Sequence, residues 1–251
     1  MSTAREVARE DLTRRIVEAG RRQLGEVGAA GLSVRAVARE LGLVSSAVYR
    51  YVADRDELLT RLIVTAFTEF GAAGEAELGP PPADAAGEVE RWRRVCRALR
   101  TWALAHPHEF TLVYGTPVPD YAAPAETAGA AERPGAALGT VLREAVQREP
   151  LDPNDYRGLP ATLDEELRAL ARIPAFGLAD LLDGVAGSPG ERPLLAAVGA
   201  GLAAWQQLCG SLTLELNGHL DGVIADRDLW FDHLVDLWGR SVLPRSYRQA
   251  G

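Results

Sequence analysis

Ser45, Ser46 and Ala47 stand just ahead of Tyr49, Arg50 and Tyr51, and Arg55 follows one helical turn later. Small and hydroxyl-bearing side chains let a backbone come close to a flat surface such as the edge of a base pair. A tyrosine hydroxyl and guanidinium forks offer the donors that phosphate oxygens accept. Ser33 and Arg35, twelve and ten residues before Ser45, repeat the combination. Together these residues fit the gripping of a polyanionic duplex, in which no bond is made or broken.

Other chemistry finds less support. A metal site needs histidines at i, i+4 on a helix or a Cys/His cluster. His106 and His108 instead flank Pro107, and His219 and His233 stand apart, so turn and cap roles are expected and no metal. "GEVGAAG" at 25–31 resembles a glycine-rich phosphate loop, but such a loop follows a strand, and here a helix precedes it. The same glycines then stop a helix, and "GAG" at 199–201 packs within one. No Gly-x-Ser-x-Gly elbow occurs. Cys96 and Cys209 lie on apolar helix faces and read as core. No cofactor is expected, and the chain is not read as an enzyme.

Rigid elements must hold the duplex-gripping groups on one side. Leu12, Ile16, Ala19, Gln23 and Val27, with Leu24 beside them, mark one face of a first helix that Gly28 is placed to stop. Ser33 is an expected N-cap for a second helix, where Val34, Val37, Ala38 and Leu41 keep the 3.6-residue period. Gly42 permits a sharp turn into a third short helix over roughly Val44–Val52, packed through Val48 and Val52. Asp54 and Glu57 form an Asp-type capping box for a fourth helix, which buries Leu58, Leu59, Leu62, Ile63, Ala66, Phe67 and Phe70. Two short helices joined at Gly42 have helix-turn-helix spacing, and the second of such a pair can lie in the DNA major groove. Beyond the proline-rich break "GPPPAD" at 79–84, helices are expected at 85–105, 107–115, 134–149, 162–172, 193–219 and 226–241. "GTPVPDYAAP", "EPLDPND" and "AGSPGERP" separate some of them. No strand alternation or internal repeat is evident.

The chain has 251 residues, 47% of them hydrophobic, enough for a sizeable core. All 27 basic residues are Arg. Net charge is −8, unevenly spread: residues 1–60 hold ten Arg and nine acids, a net +1, and the rest hold 17 Arg and 26 acids, a net −9. Such a protein is unsuited to coating nucleic acid everywhere, but one locally basic end can bind it. Two distant cysteines fit a reducing cytoplasm. The opening "MSTAREVARED" is too charged for a signal peptide, and the longest apolar stretch falls short of the roughly 20 residues a bilayer needs. A soluble, cytoplasmic protein with no membrane partner is expected.

"LSVRAVARELGLVSSAVYRYVADRDELL" resembles the N-terminal signature of the TetR family of bacterial transcriptional regulators. The resemblance implies an all-α fold: an N-terminal three-helix helix-turn-helix domain at 1–56, a linking helix over 55–78, and a C-terminal helical effector-binding and dimerisation domain at 57–251. Carried over residue by residue, it gives Ser33 and Arg35 contacts to phosphate and a base edge, and sets Ser45, Ser46 and Ala47 in the major groove. Tyr49 would bond a phosphate, with Arg50, Tyr51 and Arg55 as further donors. Tyr51 stands where histidine is common in the family, and Arg55 where lysine is usual. Val44 departs from the pattern, because it occupies the place of a capping serine; Ser45 is expected to cap instead, one residue later, so either Val44 or Ser45 begins the recognition helix. Ser45 and Ser46 also replace a frequent proline-glycine pair.

The second half, through "RWRRVCRALRTWALAHPHEFTLVYGTPVP" and "AWQQLCGSLTLELNGHL", resembles the WHG-type C-terminal domain of some TetR-type regulators. On that resemblance Trp92, Trp102, Phe110, Tyr114, Tyr121 and Trp205 are candidate walls of a pocket for a small-molecule effector. Trp205, Leu208, Leu212 and Leu216 form one stripe, and Trp230, Leu234, Leu237 and Trp238 follow on the last helix; this pair of helices is expected at a homodimer interface. Cys209, Thr213, Gly199, Ala203 and Gly210 offer a second contact face. The reading is a ligand-responsive repressor that binds a palindromic DNA operator as a homodimer. The alternatives are a small-molecule enzyme on a helical scaffold and a protein-interaction adaptor with a vestigial DNA head.

Overall fold

The first helix, α1 (Ala4–Val27), stops where Gly28 takes φ 68°, a left-handed value that a Cβ disfavours. α2 (Val34–Glu40) and α3 (Ser45–Val48) follow. The turn between them is a Schellman motif: Gly42 N–H donates to Arg39 O at 3.1 Å and Leu43 N–H to Ala38 O at 2.9 Å, with Gly42 at φ 68°. α4 (Arg55–Ala76) opens under the expected box. Asp54 Oδ1 accepts from Glu57 N–H at 2.8 Å, while the Glu57 carboxylate reaches back to Ala53 N–H at 2.6 Å, one residue short of the Asp54 amide.

The computed structural model describes residues 4–149, 151 and 160–244. No strand occurs among them, so the protein is all-α as expected. Most of the separator "EPLDPND" lies outside the described residues. Beyond α4 come α5 (Ala85–Ala105), α6 (Pro107–Tyr114), α7 (Ala128–Arg148), α8 (Asp164–Ala171), α9 (Ala179–Val185), α10 (Glu191–Leu216) and α11 (Arg227–Val242). α7 begins well before the expected Pro134, which sits inside the helix and is buried. Proline has no N–H for the helical ladder, so it favours a first turn; burial of Pro134 with Ala137, Leu138 and Val141 overrides that preference. α9 was not anticipated, because its short run shows too few turns for a period to emerge.

Packing divides the chain into two compact units. One holds the residues up to Thr68 together with His106–Ala131; the other holds Glu69–Ala105 and the residues from Glu132 on. In the first unit Ile16, Ala19, Val37, Ala38, Val48, Val52, Leu58 and Leu59 are fully buried. Leu112, Val118 and Tyr121 pack against that core. α6 is tied to α1 by the Arg21–Glu109 ion pair at 2.8 Å, and the Tyr121 hydroxyl meets Thr60 Oγ1 at 2.9 Å.

In the second unit α5 and α11 run antiparallel and are joined by rungs of charge. Arg93 pairs with Asp236 and Arg97 with Asp232, each with a shortest contact of 2.7 Å, and Arg100 reaches both Asp228 and Glu215. Leu194–Val198 of α10 form an unbroken buried run, as a helix surrounded by others requires. Gly71 and Gly74 of α4 let α7 come close: a Cβ on Gly71 would fall 3.0 Å from the Arg133 backbone. Cys96 is wholly buried, and burial pushes its thiol well above the ordinary range and that of Cys209 up to about 12. Both thiols are therefore protonated at neutral pH, as inert packing groups are.

Candidate nucleic-acid interface

α3 is a single turn, shorter than expected, with the chain continuing through Tyr51 N–H to Val48 O at 2.8 Å and Val52 N–H to Val48 O at 3.1 Å. Val48 and Val52 are wholly buried against α1 and α2 residues. That fixes which side of the segment turns outward. Ser46, Tyr49 and Arg50 are exposed there, Tyr49 to 41%. Ser45 and Ala47 are half-buried at its edges. Tyr51 is also half-buried and leans on the core, so its ring is part of the support.

The start of the reading helix is decided. Val44 is the N-cap residue, with extended backbone (φ −68°, ψ 140°), and Ser45 is the first helical residue. Neither gives a side-chain cap. Valine has no acceptor, and Ser45, already helical, cannot take its place as the cap, so that expectation is corrected. Ser33, by contrast, caps α2 through Ala36 N–H at 3.4 Å. Its own amide donates to Gln23 Oε1, also at 3.4 Å, from a glutamine that is nearly buried. Gln23 had been read only as part of an apolar face; its amide braces the entry to α2.

Arg35, Arg39 and Arg50 are exposed and make no ion pair among the described residues. Arg39 was missed in the sequence, although its i+4 spacing from Arg35 puts both on one side of α2. Arg55 is more committed than expected. Its Nη2 donates to Ala29 O at 3.0 Å and its Nη1 lies 3.4 Å from Asp56, which leaves fewer donors for a phosphate. Arg61 donates to Tyr51 O at 2.8 Å and to Glu57 at 2.6 Å. Partial burial pushes the Glu57 carboxyl upward, but the Ala53 amide and Arg61 outweigh it and hold its pKa below the ordinary value.

Residues 92–238 match the family model described as the tetracyclin repressor-like C-terminal domain, and residues 16–62 match that of bacterial regulatory proteins of the tetR family. The chain belongs to the TetR family. Over 127 residues this TetR-family protein is 50% identical to the HTH-type transcriptional regulators Rv1816 of Mycobacterium tuberculosis and Mb1846 of Mycobacterium bovis. The match covers 50% of the chain and 53% of each relative, so the chain spans about half the length of the curated relatives it matches. The crystal structure of SCO4313 is 28% identical, with a TM-score of 0.68 over 94% of this chain and 98% of that one. A Rhodococcus sp. RHA1 protein of unknown function is 22% identical, with a TM-score of 0.61 over 92% of this chain and 95% of that one, a likeness of fold alone.

The aromatic residues expected around an effector fall in both units of this TetR-family protein. Phe110, Tyr114 and Tyr121 belong to the first, where the Phe110 and Tyr114 rings lie 5.1 Å apart at a 37° tilt and Phe67 meets Tyr114 edge-on at 5.8 Å. Trp92, Trp102 and Trp205 belong to the second. Phe70 lies 5.1 Å from Trp102 and 6.2 Å from Trp205. Trp92 is enclosed between α5 and α11: its indole N–H donates to Val235 O at 3.0 Å, and a Cβ on Gly239 would come within 3.2 Å of the ring.

The expected pairing surface needs correction. Leu208, Leu212 and Trp238 are 1%, 0% and 3% exposed within one subunit, so they fill its core. Leu216 and Leu234 are half-buried, and of the expected residues Trp230 and Leu237 are exposed. The outward face of α10 carries Leu202, Ala203, Gly210 and Leu214, and that of α11 adds Leu229 to Trp230 and Leu237. Ala203 and Gly210 had been placed on the second contact face. Both helices have two apolar stripes, and the intramolecular core took Leu208, Leu212 and Trp238 from the residues assigned to the partner.

Proposed function

We propose that this TetR-family regulator is a ligand-responsive repressor that binds a palindromic operator as a homodimer in the cytoplasm. Residues 1–56 read DNA and residues 57–251 bind the effector and the second subunit, with the helix beyond Arg55 linking the two roles. One observation carries the reading: Val48 and Val52 anchor α3 from behind while Ser46, Tyr49 and Arg50 are exposed in front, with Arg35 and Arg39 of α2, which make no ion pair among the described residues. Ser45 and Ala47 then border the groove, Ser33 offers its hydroxyl hydrogen to phosphate, and Arg55 gives the donors that Ala29 leaves. The work is binding, with no catalysis.

The exposed Leu202, Leu214, Trp230 and Leu237 support pairing of α10 and α11 with the same helices of a second copy, in a four-helix arrangement whose two-fold axis the operator mirrors. The aromatic residues of the sensing part support an apolar effector site. An effector switches the protein only by binding the DNA-competent and incompetent states with different affinity.

Selection of duplexes from a random pool by the full-length chain, followed by affinity measurement over a salt series, tests the proposal. A palindromic site whose affinity falls as salt rises, and falls further with Tyr49→Phe, is the expected result. Absence of any preferred duplex refutes it.

A further inference from the structure

Val44 is 71% exposed, a β-branched apolar side chain on the surface assigned above to DNA. Its direction is fixed from both sides. Leu43 before it packs on the head core, and Val48 after it is wholly buried. The Val44 carbonyl accepts Ala47 N–H at 2.9 Å, so the residue cannot swing away without unmaking α3. A local rule is broken here: an N-cap position favours Ser, Asp, Asn or Thr, and Val44 supplies no acceptor. A single exposed valine needs no partner by itself; this one stands beside the exposed Ser46, Tyr49 and Arg50, on the surface proposed to meet base edges, where a broken local rule points to a functional role.

In the major groove the base edges present donors and acceptors, with one apolar group among them, the 5-methyl of thymine. Arginine, serine and tyrosine around Val44 suit the polar edges and the phosphates; an isopropyl group suits the methyl. Resting on the reading of this head as DNA-binding, we infer that Val44 is a specificity-determining residue that packs against a thymine methyl in each operator half-site. Its loss would relax the preference for thymine over a base that pairs identically but lacks the methyl.

Uracil scanning isolates that atom group, since uracil differs from thymine only by the methyl. Duplexes selected by the full-length chain are remade with deoxyuridine at each thymine in turn, and affinities are measured for the natural chain and for Val44→Ser. At one thymine per half-site the natural chain is expected to lose about fivefold in affinity, the scale of one buried methyl. Val44→Ser should bind the thymine and uracil duplexes there equally, with unchanged helicity. The inference is overturned if no thymine in the half-site responds to uracil, or if Val44→Ser keeps the same uracil penalty at the same position. If the chain prefers no duplex at all, the DNA reading itself fails, a result distinct from methyl-independent binding to a selected site.

Discussion

The guanidinium of Arg61 donates to the backbone carbonyl of Tyr51 at 2.8 Å while Glu57 holds it from the side at 2.6 Å. This contact ties the end of the reading segment to α4, the helix that continues toward the second unit. Together with Arg55 on Ala29 O, it makes the start of α4 a clamp on two loops of the head. Any change that shifts the first turns of α4 must therefore strain or release the segment that carries Tyr49 and Arg50.

Replacing Arg61 by Met keeps much of the stem and removes its hydrogen bonds to Tyr51 and Glu57. The head is expected to lose about 1–2 kcal/mol of stability, the scale of one or two partly exposed hydrogen bonds. Urea unfolding would read this as a lower midpoint, and operator affinity should fall with it. An unchanged midpoint would show that the clamp carries no energy.

Arg39→Ala and Arg50→Ala touch no intramolecular ion pair among the described residues, so folding should be unaffected. Each should lower the slope of log affinity against log salt by about 2, because a homodimer loses one phosphate contact in each half-site. A changed affinity with an unchanged slope would mean that the residue does not meet phosphate.

The two apolar stripes of α10 and α11 are separable by mutation. Leu214→Glu with Leu237→Glu should yield a folded monomer by sedimentation, because both side chains face outward at 48% and 45% exposure. Leu212→Ala should instead cost about 2–5 kcal/mol through an internal cavity and leave pairing intact in the molecules that remain folded. A dimer unaffected by both glutamates would place the pairing surface elsewhere.

A buried charge cluster contributes to the pH response of the second unit. Glu88 is fully buried, 3.5 Å from Arg91 and 3.4 Å from Arg148, and Arg91 reaches Glu144 at 2.5 Å. Glu88 Oε2 and Arg91 Nε have no hydrogen-bond partner. Burial raises the Glu88 pKa above its ordinary 4.5, against the pull of Arg91. The folded state thus binds the Glu88 proton more tightly than the unfolded chain does. The stability this lends is complete below about pH 4.5 and is lost as pH rises through the folded value. Glu75, held down by its hydrogen bond from Arg133, and Asp232, held down by Arg97, act in the opposite sense below their own ordinary values. Thermal melts across pH should therefore show a decline above 4.5 that Glu88→Gln flattens. An identical pH profile in the variant would contradict the assignment.

The helix-turn-helix was legible in the sequence because its devices are local. Gly28 and Gly42 adopt the left-handed turns their type suggests, Ser33 caps α2, and Asp54 with Glu57 opens α4; each depends on neighbours within about five residues. The periodic valines likewise told which side of α3 would be buried. The length of α3 was not legible, since nothing local marks where one turn of helix gives way to a chain of turns.

What only the tertiary structure decided are choices between equivalent partners. α10 and α11 each offer two apolar stripes of similar strength, and the period alone cannot say which one faces its own subunit; packing put Leu208, Leu212 and Trp238 inside and left Leu214 and Leu237 out. The attachment of α6 to the head through Arg21–Glu109 joins residues 88 positions apart, and no spacing rule reaches that far. Burial of Glu88 and Arg91 within an arginine-rich helix was invisible for the same reason. Local backbone chemistry fixes the helix ends that carry caps and left-handed glycines, whereas the pairing of faces is settled by the collective burial of apolar surface over the whole chain.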